Sequence, residues 1–74
     1  MNAKEFAFGV EVGGITYDVY HTVAPKNGEP VTVALRIRPE GVAELTAFVA
    51  GHCGEREISA KIAGAQREPG YFAQ

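Results

Sequence analysis

The sequence predicts a small α+β domain of order β-β-β-α-β, a mainly antiparallel four-stranded sheet with one helix packed on one face. Three observations predict it. Apolar residues alternate through residues 5–12 and again through 15–23, on either side of Gly13-Gly14. A third alternating run, 31–37, follows a turn-forming Pro25-Lys26-Asn27-Gly28. Beyond Pro39 the apolar spacing changes from that of a strand to that of a helix.

In the first strand Phe6, Phe8, Val10 and Val12 fall on one side and Glu5, Ala7, Gly9 and Glu11 on the other. Gly9, inside this strand, marks either a bulge or a tolerated solvent-facing position. Gly13-Gly14 tolerate the positive φ angles of a two-residue hairpin turn. The second strand then opposes Ile15 to Val12, Tyr17 to Val10, Val19 to Phe8 and His21 to Phe6. For the next hairpin, a three-residue Lys26-Asn27-Gly28 loop begun by Pro25 turns Val31, Val33, Leu35 and Ile37 toward the core. That register sets Asp18 opposite Arg36 and Thr22 opposite Thr32 on the outer face. Pro39 stops the strand and suits a first helical turn, after which Val42, Leu45 and Val49, flanked by Phe48, recur at helical spacing. Glu40 and Glu44 suit the start of such a helix, and Gly51 or Gly54 its end. Alternation of Ile58, Ala60 and Ile62 within 57–63 predicts the fourth strand. Residues 66–74 read as a polar turn around Pro69-Gly70 followed by Tyr71-Phe72, a C-terminal docking segment.

The 74 residues make one domain, 1–74, and a chain of this size buries only about 60% of its unfolded surface, so its stability margin is thin. A composition of 46% hydrophobic and 22% charged residues is that of a folding globule rather than a disordered tail. One cysteine, Cys53, forms no internal disulfide, and the first residues lack a signal-peptide apolar stretch, so the expected compartment is the cytoplasm. No membrane contact is expected, and the net charge of -2 argues against direct nucleic-acid binding.

No catalytic residue, cofactor site or metal site is expected. His52-Cys53 is the nearest approach to a thiol–imidazole pair, but on the expected helix it sits at the negative C-terminal end, where a thiolate is not favoured. Metal binding needs three or four convergent ligands, and two histidines, one cysteine and scattered carboxylates show no ligand spacing. The glycines form no phosphate-cradling loop. His21 reads as a partly buried residue on the apolar face with its polar tip at the rim.

The broadest surface left uncovered is the outer sheet face, expected to hold Glu5, Glu11, Thr16, Asp18, Tyr20, Thr22, Thr32, Arg36 and Arg38. Tyr20 stands near its middle as an interface anchor. The expected partner-binding residues are therefore Tyr20, Asp18, Arg36 and Arg38, with Tyr71 and Phe72 of the tail. By size, mild acidity and open-edged sheet the chain resembles small phage-encoded inhibitors of bacterial defence, including anti-CRISPR proteins. The resemblance is one of type: it carries over no functional residue, and the strongly acidic cluster common in such inhibitors is absent. It implies a non-enzymatic module that binds a host protein or nucleoprotein complex. The alternative is an accessory or homodimeric subunit assembling through a sheet edge or the tail.

Overall fold

The computed structural model describes residues 4–67 and contains β1 (Glu5–Val12), β2 (Ile15–Val23), β3 (Pro30–Ile37), β4 (Ala43–Ala50) and α1 (Glu55–Arg67). The strands form one antiparallel sheet in the order β1-β2-β3-β4, and α1 packs over one face, an α+β architecture. The last two elements stand in the opposite order to expectation, with the strand before the helix. Two local features explain the exchange. Arg38-Pro39-Glu40-Gly41 is a hairpin turn, closed by Gly41 N–H to the Arg38 carbonyl at 2.8 Å, with Gly41 at φ 87°. Pro39 thus pre-sets a turn rather than a helix start. Thr46 is then an extra residue in β4, because Ala34 pairs with Ala47 while Leu35 pairs with Leu45. The bulge leaves Leu45 and Phe48 on the same face three positions apart, a spacing that imitates a helix.

Residues 55–67 form a helix because they are rich in Ala, Glu, Arg, Lys and Gln, all good helix formers. Ile58 and Ile62 share one helical face and are fully buried, whereas Ala60, expected to point inward with them, is exposed. The carbonyl of Gly54, the residue just before the helix, accepts from Ile58 N–H in the first turn at 3.2 Å. Glu55 and Glu57 in the first turn and Arg67 in the last complement the helix dipole. Gln66 and Arg67, read from sequence as the start of a tail, belong to this helix. Tyr71 and Phe72 lie outside the described residues.

The first hairpin has the expected pairs Val12 with Ile15, Val10 with Tyr17 and Phe8 with Val19. Beyond them Ala7 bulges, so Phe6 pairs with Tyr20 and Glu5, rather than Phe6, faces His21. The second hairpin departs from expectation by one residue. Ala24 and Glu29 close a four-residue loop, in which Gly28 N–H reaches the Ala24 carbonyl at 2.8 Å with Gly28 at φ 73°. The Asn27 side chain accepts from Glu29 N–H at 3.0 Å. Asp18 therefore pairs with Leu35, Thr22 with Val31, and Tyr17 with Arg36. A one-residue shift turns every β3 side chain to the other face, so Tyr17 and Ile37 lie on opposite faces and Val33 and Leu35 point away from the helix.

The core comprises Val10, Tyr17, Val19, Ala34, Ala47, Val49, Ile58 and Ile62, with Phe8, Val12, Ile15 and Cys53 at its margin. The small residues Thr32 and Ala34, both wholly buried, are what β3 presents on this face. The helix end is tied to the first hairpin by Gln66, whose Nε2 donates to the Val12 carbonyl at 2.8 Å and to the Tyr17 hydroxyl at 2.7 Å.

Candidate interaction surface

The pairing places outer-face side chains in rows across the sheet. One row runs Phe6, Tyr20, Val33, Phe48; the next Gly9, Asp18, Leu35, Leu45; beyond it lie the pairs Glu11–Thr16 and Ile37–Ala43. The β3–β4 half of this face is consequently apolar, and the β1–β2 half is polar except around Phe6 and Tyr20. Phe6 (59% exposed), Ile37 (52%), Leu45 (44%) and Phe48 (43%) present large apolar area to solvent. Contiguous exposure of this kind marks interaction sites more often than scattered single residues do. Phe6 packs edge-on against Tyr20 with ring centroids 5.6 Å apart, and Lys4 Nζ lies 4.7 Å from the centre of the Tyr20 ring. Tyr20 is thus held rigidly between an aromatic edge and a cation.

Of the residues expected on this face, Asp18 and Tyr20 are there. Arg36 is on the helix side, paired with Tyr17 and Glu44, and Thr32 is buried beneath the helix. Arg38 lies past the end of β3, where its Nη1 donates to Glu44 Oε1 at 3.2 Å, with Glu40 at 4.0 Å. Val33, Leu35, Ile37, Leu45 and Phe48 take over the face that the arginines were expected to occupy. The signal for them was the smallness of Thr32 and Ala34, which suits a strand face approached closely by a helix.

At the opposite end of the helix-covered side, two imidazoles stack. His21 and His52 rings are 4.6 Å apart and 7° from parallel, and Phe8 meets His21 edge-on. His21 Nε2 donates to the Cys53 carbonyl at 3.1 Å, and His52 Nε2 to the Thr22 carbonyl at 2.9 Å. A carbonyl only accepts, so each Nε2 carries a proton. Thr32 completes the join: its hydroxyl donates to the Gly51 carbonyl at 2.7 Å and accepts from Cys53 N–H at 3.0 Å. Cys53 precedes α1 instead of ending a helix, which overturns the placement expected from sequence. Both histidines and Cys53 are engaged in fastening the β4–α1 connection to β2 and β3. Among the described residues no group of three or more His, Cys, Asp or Glu is placed to hold a metal ion, and no helix is long and apolar enough to cross a membrane.

Comparison with family models, curated proteins and solved structures finds no match. The outer face is therefore read from its own chemistry. Both open edges of the sheet carry a bulge, Ala7 in β1 and Thr46 in β4, which interrupts the regular row of backbone groups a further strand would need. The apolar face is a better contact surface than either edge.

Proposed function

We propose that this chain is a non-enzymatic protein-binding module that works through the outer face of its sheet. The observation that carries the reading is the apolar set Val33, Leu35, Ile37, Leu45 and Phe48, aligned on one rigid face opposite the helix. Burying such side chains against a partner contributes roughly 25 cal/mol for each Å² removed from water. Polar groups at its border, Asp18, Thr16 and Glu11, supply the rim that protein interfaces use for orientation. Inhibition of a host protein or nucleoprotein complex is the form of this activity that small size and mild acidity favour. The reading assumes the cytoplasm, where a lone thiol such as Cys53 stays reduced.

Photo-crosslinking from the face tests the reading. A benzophenone amino acid replacing Leu45 should give protein adducts in cells, whereas the same group at Glu57, exposed on the helix, should give far fewer. Equal labelling from the two positions, or none from Leu45, removes the outer face as the contact surface.

A further inference from the structure

We propose that Asn27-Gly28, at the tip of the β2–β3 hairpin, is a self-modification site: the asparagine side chain cyclises onto the backbone and hydrolyses to aspartate and isoaspartate, and the folded loop gates the reaction. The site is separate from the outer-face contact and does not depend on it.

Of Asn2 and Asn27, only Asn27 is followed by glycine. Without a Cβ, the Gly28 nitrogen is open to approach by the carboxamide carbon of Asn27. Both residues are exposed, and nothing lies within 4 Å of a Cβ placed on Gly28, so water and base reach the site. The reaction needs no other reagent. Base removes the Gly28 amide proton, the nitrogen bonds to Asn27 Cγ in a five-membered imide, and the Cγ–Nδ2 bond breaks with release of ammonia. Water then opens the ring. Cleavage at Cγ leaves aspartate; cleavage at the main-chain carbonyl leaves isoaspartate, with the chain running through Cβ and Cγ.

The native loop holds both reacting groups. Gly28 N–H donates to the Ala24 carbonyl at 2.8 Å, and Asn27 Oδ1 accepts from Glu29 N–H at 3.0 Å. An imide nitrogen carries no hydrogen, so cyclisation and the Ala24 bond exclude one another. The hairpin must open first, and the rate follows the open population. The isoaspartyl product cannot simply close again. It lengthens the backbone by one bond of about 1.5 Å inside a loop that Ala24 N–H and the Glu29 carbonyl close at 2.8 Å, next to the Val23–Pro30 pair. It also adds one negative charge to a chain already at -2. Modification is therefore a one-way record of hairpin opening.

Peptide mapping that separates aspartyl from isoaspartyl forms tests this on the full chain, incubated native and in guanidinium at the same mildly alkaline pH. Conversion at position 27 is expected in both, at least about tenfold slower in the native chain. Equal or faster conversion in the native chain overturns the gate, and an unfolded chain that keeps its Asn27 amide overturns the site. The isolated isoaspartyl form, refolded, should unfold at lower guanidinium than the wild type, while Asn27→Asp, which adds the charge without the extra bond, should stay near it. An isoaspartyl midpoint equal to that of the wild type, or an Asn27→Asp midpoint lowered as far, overturns the link to backbone length.

Discussion

Thr32 and Gln66 show how single polar side chains hold this small domain closed at its two ends. Thr32 is fully buried, and its hydroxyl satisfies both the Gly51 carbonyl and the Cys53 N–H. Thr32→Val keeps the shape but leaves those two backbone groups without their partner, an expected loss of about 2–4 kcal/mol in urea unfolding. Thr32→Ser, which retains the hydroxyl, should cost about 1 kcal/mol, as deletion of one buried methyl does. At the other end, Gln66 is the hydrogen-bond donor to the nearly buried Tyr17 hydroxyl. Gln66→Ala and Tyr17→Phe should therefore be coupled, by about 0.5–1.5 kcal/mol in a double-mutant cycle; additive effects would show that the contact contributes nothing. Cys53 uses its backbone, not its thiol, in the hydrogen bonds that fasten the connection. Cys53→Ala should leave binding intact and lower stability by no more than about 1 kcal/mol, the scale of a trimmed half-buried side chain.

Among the elements, the β3–β4 hairpin shows how turn chemistry overrides apparent periodicity. Pro39 and Gly41 reverse the chain with Gly41 at φ 87°, a conformation that costs a non-glycine residue about 1–2 kcal/mol. Nothing lies near a Cβ placed there, so the penalty is purely conformational. Gly41→Ala should accordingly lower unfolding free energy by about 1–2 kcal/mol, and Gly41→Asn by less, since asparagine tolerates the left-handed region. Equal stability of the alanine variant in urea titration would mean that the turn relaxes to another form. Helix α1 depends instead on packing: Ile58 and Ile62 are the two side chains it buries completely. Ile62→Ala should cost about 2–5 kcal/mol.

On the scale of the whole molecule, one sheet has one face covered by a helix and the other apolar over its β3–β4 half. A domain of this length gains little from a single thin core, so the two faces should respond differently to the same change. Leu45→Asp, at a side chain 44% exposed, should shift the urea midpoint little, whereas Val49→Asp, 8% exposed in the core, should unfold the domain. Equal losses from the two would show that the apolar outer side chains serve folding rather than contact.

Local pattern in the sequence was enough for the α+β class and for the first hairpin through Val12–Ile15, Val10–Tyr17 and Phe8–Val19. Two glycines there permit one tight turn, and a slip would expose every apolar pair. The length of the second loop was not legible in the same way, because β3 is apolar on one face and small on the other. Either face satisfies alternation. What decides is the nonlocal fit of Thr32 and Ala34 beneath the helix, which turns Val33, Leu35 and Ile37 outward and moves Arg36 off the face. The order of strand and helix in the last third was hidden for a related reason. A bulge at Thr46 gives a strand helical spacing, and an Ile–Ser–Ala–Lys–Ile helix contains a strand-like alternation. Short segments carry both periods, and only packing against the sheet chooses between them.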